Sequence, residues 1–90
     1  MDKPIYVARR FRSTWKSLDP RQRESVVDVI LVLPALLAHP HRHTGFGFRR
    51  LHGTEYWEAR LDLRWRLILK IGVDDIVLFD VMNHDQVSRL

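Results

Sequence analysis

Cysteine is missing from this 90-residue chain, and only three of its residues are lysine. Without cysteine there is no disulfide framework, no thiolate nucleophile and no cysteine-bound zinc site. Long apolar runs are missing too: VVDVILVLPALLA, Val26 to Ala38, is shorter than the ~20 residues of a membrane span and contains Asp28 and Pro34. The first residues, MDKPIYVARRF, lack the apolar core of a signal peptide. We therefore expect a cytoplasmic protein that does not bind a membrane.

The basic residues are almost all arginine. The chain has 15 Lys and Arg residues against 11 Asp and Glu residues, which gives a net charge of +4. A guanidinium group is planar and presents paired donors that match phosphate and carboxylate groups. This excess favours a nucleic acid or an acidic protein as partner, while a genome that prefers arginine codons is the alternative that composition leaves open.

Length and apolar content suit a single domain over residues 1–90. A chain of this length buries roughly 60–65% of its unfolded surface, which leaves little for a second core. The hydrophobic fraction of 46% and the charged fraction of 29% are typical of folded soluble proteins and too apolar for a disordered one.

The first half of the chain predicts a strand and two helices. Ile5 to Val7 is β-prone, and the segment FRSTWKSL after it repeats its apolar residues at helical spacing. Asp19 and Pro20 combine an N-cap residue with proline at the first helical position. Pro34 should kink this second helix or end it near Leu33, with a further turn to Ala38 as an option. Its predicted apolar face consists of Val26, Val27, Ile30, Leu31 and Leu33.

The second half predicts strands. They span Phe48 to Leu63 with an interruption at His52 and Gly53, then Trp65 to Ile71, then Ile76 to Met82. Between the last two, GVDD is a tight-turn sequence that indicates an antiparallel hairpin. The whole order predicts the α+β class, in which an N-terminal strand and two helices pack on a mainly antiparallel, about four-stranded sheet with its other face open.

Alternation along the strands predicts a charged face of the sheet. Its predicted residues are Tyr56, Glu58, Arg60, Asp62, Arg64, Arg66, Ile68 and Lys70, with His84 just past the last strand. The predicted inward-facing residues are Trp57, Ala59, Leu61, Leu63, Trp65, Leu67, Leu69 and Ile71. Metal-free RNA cleavage needs such groups: a base takes the proton of the 2′-hydroxyl, cations neutralise the phosphorane, and an acid protonates the leaving 5′-oxygen. The alternative is an ordinary solvated sheet face, in which Arg66 pairs with Glu58 or Asp62 and His84 bonds to a nearby aspartate, Asp80 or Asp85.

The order of short motifs resembles the RelE/ParE superfamily of toxins from bacterial type II toxin–antitoxin systems. The matching positions are Arg49 to Gly53, Arg60, Trp65 to Ile68, and Asn83 to Asp85, and the first half matches the β-α-α beginning of the family. The resemblance covers nearly the whole chain and implies the RelE/ParE-like fold. RelE-like members are ribosome-dependent endoribonucleases that cleave mRNA, whereas ParE-like members share the fold and poison DNA gyrase.

The resemblance also implies roles for individual residues. Arg66 matches the arginine that stabilises the transition state, Arg60 its basic neighbour, His84 the general acid, and Glu58 a candidate base. Further RNA-binding residues would be Arg49, Arg50, Arg64, Lys70 and Tyr56. No cofactor and no metal are implied.

One position departs from the family. Many RNase members carry a tyrosine shortly after the last strand, where this chain has Ser88, and no aromatic residue follows Phe79. Tyr56 or Trp57 would then have to provide any stacking on a base.

The resemblance therefore favours a RelE-like toxin: a metal-independent, ribosome-dependent mRNA endoribonuclease that a cognate antitoxin holds inactive. Its partners would be mRNA, the ribosome and the antitoxin, in a heterotetramer or a larger assembly. A ParE-like gyrase inhibitor and a non-catalytic relative that only binds RNA or antitoxin are the alternatives. Whether the chain is an enzyme stays open at this point.

Two further clusters have an ordinary explanation beside a functional one. The histidines of HPHRH, together with His52, raise the question of a zinc site, but the prolines and the lack of a carboxylate or cysteine favour a solvated loop. The arginines of the two helices either contact ribosomal RNA or form a solvated helical face. They are Arg9, Arg10, Arg12, Arg21 and Arg23.

Overall fold

A strand and two helices precede four strands and a short final helix. The computed structural model describes residues 3–39 and 44–90. The elements are β1 (Ile5–Val7), α1 (Arg9–Ser17), α2 (Pro20–Ala38), a 3-10 helix (Thr44–Phe46), β2 (Arg49–Arg50), β3 (Tyr56–Arg60), β4 (Trp65–Ile71), β5 (Ile76–Asn83) and α3 (His84–Val87). The predicted order of one strand, two helices and three strands is confirmed for β1, α1, α2, β3, β4 and β5, with the 3-10 helix, β2 and α3 as additions.

The strands form one sheet in the order β1-β5-β4-β3-β2. β1 pairs with β5 in parallel, and the other three pairs are antiparallel. The predicted α+β fold with a mainly antiparallel sheet is therefore confirmed. The sheet has five strands rather than about four, because Arg49 and Arg50 pair with β3 as a separate strand. As predicted, GVDD closes the β4–β5 hairpin, with the Gly72 N–H donating to the Asp75 carbonyl at 2.8 Å.

Helix α2 begins where the sequence predicts and continues past its proline. The Asp19 carboxylate accepts from the Gln22 N–H at 2.8 Å, and the Gln22 side chain accepts from the Asp19 N–H at 2.9 Å, which is a capping box. The alternative in which the helix ends near Leu33 is wrong, because α2 runs through Pro34 to Ala38. Across the two described stretches of the chain, no helix combines the length and the apolar character that crossing a bilayer requires.

Helix α2 buries a narrow stripe. The buried positions Val26, Val29, Leu33 and Leu36 recur at intervals of three and four residues. Of the predicted apolar face, Val27 and Leu31 are instead 43% and 73% exposed, because one side of the helix faces solvent. The same core contains Phe11, Leu18, Ala59, Leu67, Leu69, Ile76, Leu78 and Val81. We call the sheet face that bears Ala59, Leu67 and Leu69 the core face.

A bulge in β5 interrupts its alternation. Ile68 lies opposite Asp80 while its neighbour Leu69 lies opposite Leu78, so Phe79 is an extra residue in the ladder. Leu78 and Val81 therefore both belong to the core although they are three residues apart. Asp80 lies on the opposite face, across from Ile68.

Helix α1 is fastened to β5 at the bulge. β1 pairs only with the first three residues of β5, Ile76 to Leu78. The Asp80 carboxylate, which is buried, accepts from the Thr14 hydroxyl at 2.5 Å and from the Arg10 guanidinium at 3.2 Å. Because both donors come from α1, these bonds hold the helix beside the second half of β5.

We predict that Leu36→Ala lowers the free energy of unfolding by about 2–5 kcal/mol, because Leu36 is fully buried and the truncation leaves a cavity. Leu31→Ala is the matched control in the same helix and should change it by less than about 0.5 kcal/mol. Urea denaturation followed by tryptophan fluorescence measures both. Equal losses would contradict the packing of α2.

Candidate functional site

The face of the sheet opposite the core face, here called the charged face, carries ionisable side chains. Residues directly opposite each other in neighbouring strands share a face. Arg60 lies opposite Arg66, and Tyr56 lies opposite Lys70. Glu58 stands between Tyr56 and Arg60 on the same side of β3. The predicted placement of these residues on one face agrees with the register.

A cavity of about 270 Å³ opens on the charged face, between the β2–β3 end of the sheet and the C-terminal segment. Its lining residues are Arg49, Leu51, His52, Thr54, Glu58, His84, Val87, Ser88 and Leu90. Two imidazoles, a guanidinium, a carboxylate and two hydroxyls thus meet in one place. Such a set provides groups for proton transfer and for binding an anion.

Glu58 lies in this cavity as an ion pair with Arg49. The Arg49 Nε donates to Glu58 Oε1 at 2.8 Å, and the side chains are 72% and 7% exposed. The expectation that Glu58 lies on an open face is wrong, because Arg49 and the other lining residues enclose it. A buried and paired carboxylate is a poor acceptor for a substrate proton, whereas the exposed guanidinium of Arg49 is available to an anion.

His52 lies in a tight turn between β2 and β3. The Leu51 carbonyl accepts from the Thr54 N–H at 3.1 Å and from the Thr54 hydroxyl at 2.8 Å. Gly53, the third residue of this turn, has φ +75°, as a type II turn requires. The Arg50 Nε donates to the Thr54 carbonyl at 3.0 Å, which ties Arg50 to the same turn. These bonds fix where His52 stands.

His84 is the first residue of α3 and stands at the other side of the cavity. The Asn83 side chain accepts from the Gln86 N–H, and the Gln86 side chain accepts from the Asn83 N–H, each at 2.9 Å. This capping box sets the start of the helix. His84 is exposed, and its ring makes no hydrogen bond with any described residue. The structural alternative, a bond to Asp80 or Asp85, is therefore absent from this part of the chain.

Arg60 and Arg66 lie next to the cavity along the charged face. The Arg66 Nη1 donates to the Asp62 and Trp65 carbonyls at 2.9 and 3.1 Å. Neither arginine forms an ion pair within residues 3–39 and 44–90, so the predicted alternative of a salt bridge from Arg66 to Glu58 or Asp62 is not formed there. Like charges directly opposite in a ladder repel each other. A bound anion would remove that cost.

An aromatic pair with a cation above it lies at the other end of the charged face. The Tyr56 and Phe79 ring centroids are 4.8 Å apart, and Lys70 Nζ lies 5.2 Å from each. The hydrogen bond to Glu55 raises the pKa of Lys70 above its ordinary value, so this amine is charged at neutral pH. Trp57, the other predicted stacking residue, instead stacks on Phe48 with centroids 5.1 Å apart and packs against the core.

The remaining predicted residues divide into exposed and structural ones. Arg64 is exposed, and only its backbone N–H is held, by the Asp62 carboxylate at 2.8 Å. Arg10 and Arg23 are structural, because Arg10 pairs with Asp80 and Arg23 donates to the Trp15 carbonyl at 3.0 Å. The other helical arginines, Arg9, Arg12 and Arg21, are exposed.

The zinc hypothesis depends on His41 and His43, which lie outside the described residues. Over the residues that the structure does describe, no group of three or more histidine or acidic side chains has an arrangement that suits a metal ion.

His52 is the residue that sequence reasoning did not connect with the catalytic group. The His-Gly pair between two strands is a recognisable turn sequence. What the sequence does not reveal is that this turn lies across a cavity from the start of α3, because the two are more than 30 residues apart in the chain.

We predict that Arg49→Ala lowers the free energy of unfolding by about 1–3 kcal/mol, because it leaves the buried Glu58 carboxylate without its partner. The loss should be smaller when Arg49→Ala is made in a Glu58→Gln background. A double-mutant cycle from urea denaturation measures the difference. Equal losses in both backgrounds would show that the pair does not contribute to stability.

The fold of this chain is similar to that of several solved toxin structures, although the sequences share little identity. No family model and no curated protein sequence matches the chain. The structure is similar to YafQ of Escherichia coli BL21(DE3), with a TM-score of 0.65 and 16% identity over 96% of this chain and 98% of that one. It is similar to a chain of the RelB–RelE antitoxin–toxin complex of Methanococcus jannaschii, with a TM-score of 0.64 and 13% identity over 93% and 95%. For a copper-bound mutant toxin of Helicobacter pylori the TM-score is 0.71, with 15% identity over 96% and 99%. The chain therefore has the fold of the RelE-like toxins.

Proposed function

We propose that this protein is the toxin of a type II toxin–antitoxin system and a metal-independent, ribosome-dependent mRNA endoribonuclease of the RelE-like type. The observation that carries the proposal is the cavity in which His84 and the Arg49–Glu58 pair meet, on the charged face of a RelE-like sheet. Two further arginines, Arg60 and Arg66, adjoin it without acidic partners among the described residues.

In the proposed reaction the 2′-oxygen of the mRNA attacks the adjacent phosphorus. The bond from phosphorus to the 5′-oxygen breaks, which leaves a 2′,3′-cyclic phosphate and a 5′-hydroxyl end. His84 gives a proton to the leaving 5′-oxygen. The guanidinium groups of Arg60 and Arg66 neutralise the charge that develops on the phosphorane oxygens. Each of these groups is on the charged face or at its edge.

Arg49 binds the phosphate in this proposal, and Glu58 orients it. A carboxylate held at 2.8 Å fixes the direction of the guanidinium, which leaves its remaining donors for the substrate. The role of Glu58 as general base, which the resemblance implies, stays a prediction. Its burial favours the orienting role.

The RNA would continue from the cavity along the charged face. Tyr56 and Arg60 are four residues apart on β3, which corresponds to about 13 Å. Tyr56 would therefore stack on a base that flanks the cleaved linkage, as a substitute for the aromatic residue absent at Ser88. Lys70 beside it and the exposed Arg64 would contact neighbouring phosphates. Arg50 lies opposite Trp57 and therefore on the side of the sheet that bears the core face, so it would not join them, and its prediction as a residue of the charged site does not agree with the register.

A cognate antitoxin and the ribosome are the proposed macromolecular partners. The net charge of +4 and the exposed arginines of α1 and α2 favour contact with ribosomal RNA. An antitoxin segment that carries acidic residues would cover the charged face and pair with its arginines. The similarity to a structure of a RelB–RelE antitoxin–toxin complex supports this partner. We propose that the assembly is a heterotetramer or larger.

A ParE-like gyrase inhibitor is the alternative that the sequence left open. The structures compared above include a YafQ and a RelE toxin and no protein named ParE, which favours the RNase. A cavity with two imidazoles also suits proton transfer better than it suits a purely structural contact with gyrase.

Expression of the protein should arrest growth and produce mRNA cuts that depend on ribosomes. We expect His84→Ala to slow cleavage by about 10²–10⁴-fold, because the leaving oxygen loses its proton donor. Arg66→Ala should slow it by about 10²–10³-fold through the loss of transition-state stabilisation. Primer extension on a ribosome-bound message measures both.

His39→Ala is the control, because His39 is an exposed histidine at the C-terminal end of α2 and does not line the cavity. It should cleave like the wild type. DNA breaks with intact mRNA would identify a gyrase toxin, and expression without growth arrest would identify a non-catalytic relative. Either result contradicts the proposed function.

We expect Tyr56→Leu to raise KM for the message with little change in kcat, since stacking on one base contributes about 1–3 kcal/mol to binding. Tyr56→Phe keeps the ring and should behave like the wild type. Steady-state cleavage on programmed ribosomes measures both constants. An equal effect of the two substitutions would show that the hydroxyl, and not stacking, is responsible.

A further inference from the structure

The cavity contains a second imidazole, His52, that the reaction described above does not use. We propose that His52 is the general base, which takes the proton of the 2′-hydroxyl, while His84 is the general acid. This inference rests on the proposed function, because it assigns a residue to the base of that same reaction.

The two imidazoles approach the cavity from different parts of the fold. His52 comes from the turn between β2 and β3, and His84 comes from the start of α3, and both line the same space of about 270 Å³. In a displacement at phosphorus, the attacking and the leaving oxygens lie roughly in line on opposite sides of the phosphorus atom. Base and acid therefore have to reach the phosphate from two sides, which two walls of one cavity allow.

The other polar groups of the cavity are already engaged. The Glu58 carboxylate is 7% exposed and pairs with Arg49. The Thr54 hydroxyl donates to the Leu51 carbonyl at 2.8 Å, and the Ser88 hydroxyl donates to the Asp85 carbonyl at 2.6 Å. Among the lining side chains, the exposed ring of His52 is thus the base that remains available once His84 serves as the acid.

Hydrogen bonds restrict the conformation of the turn that carries His52. The turn is closed by two bonds to the Leu51 carbonyl, and the Thr54 hydroxyl also accepts from the Tyr56 N–H at 3.0 Å, which joins the turn to β3. Gly53 supplies the positive φ that the turn needs. A base has to stand within hydrogen-bond reach of the proton it removes, and a turn locked at both ends restricts its position.

The proton and bond changes of the step balance. A neutral ring nitrogen of His52 takes the 2′-hydroxyl proton as the bond from the 2′-oxygen to phosphorus forms. The bond from phosphorus to the 5′-oxygen breaks, and the 5′-oxygen receives the proton of the His84 imidazolium. His52 ends protonated and His84 neutral, and exchange of one proton each with water restores both. Imidazole suits both roles because its two protonation states are populated near neutral pH.

The experiment uses the full-length protein on ribosomes programmed with a defined mRNA, under single-turnover conditions. His52→Ala should slow cleavage by about 10²–10⁴-fold. His52→Gln should do the same, since glutamine keeps polar atoms at this position but does not take up a proton. Unchanged thermal unfolding of His52→Gln shows that the loss is chemical, and His39→Ala should cleave at the wild-type rate.

A modified substrate separates the base from the acid. When sulfur replaces the 5′-oxygen at the cleaved linkage, the leaving thiolate needs no proton, so the general acid becomes dispensable while the base does not. This substrate should restore cleavage by His84→Ala to nearly the wild-type rate and leave His52→Ala and His52→Gln slow.

The outcomes distinguish this inference from the proposed function. If the wild type does not cut the message, the proposed function fails. If the wild type cuts and His52→Gln cuts equally fast on the normal substrate, the assignment of His52 is overturned while the function stands. Rescue of the His52 variants by the sulfur substrate would also overturn it, because His52 would then act as the acid.

Discussion

The extra residue in β5, Phe79, determines which side chains of the second half of the strand lie on the core face and which lie on the charged face. β5 lies near the middle of the sheet, and its first half already buries Ile76 and Leu78 in the core. With strict alternation, Asp80 and Met82 would continue on that same face. The bulge at Phe79 instead sends Val81 into the core and places Met82 opposite Arg66 on the charged face. The chain therefore leaves the strand, and begins α3 at His84, beside the arginines. Burial of the Asp80 carboxylate among the apolar side chains of α2 would be costly. On the other face, Asp80 instead accepts hydrogen bonds from Thr14 and Arg10 of α1.

The charged face contains unfavourable electrostatic interactions that a purely structural sheet would avoid. Two arginines lie opposite each other without acidic partners among the described residues, and a carboxylate is buried under a single guanidinium. Such local costs are expected where a site is arranged for a ligand rather than for stability. A phosphate between these groups would supply the charge that the face lacks. On the core face, in contrast, apolar side chains such as Ala59, Leu67 and Leu69 share one core with the buried residues of α2.

The cavity depends on three separate parts of the chain. The β2–β3 turn brings His52, the ladder between β2 and β3 brings the Arg49–Glu58 pair, and α3 brings His84. One turn and one capping box, each formed by neighbouring residues, set the backbone positions of His52 and His84. The distance between the imidazoles, however, is set by the sheet that joins these parts. Proton-transfer chemistry is sensitive to that distance, so stability of the sheet and function of the site are linked.

The sequence alone determined what depends on neighbouring residues. The α2 N-cap at Asp19, the GVDD hairpin and the two faces of β3 and β4 follow from spacings of two to four residues, and these were predicted correctly. The tertiary structure decided what depends on contacts between distant residues: the bulge in β5, the burial of Glu58 and the meeting of His52 with His84. Periodicity shows which side of its own element a residue faces, but it does not show what another part of the chain places over that side, and here that decides which charged groups are buried, paired or available.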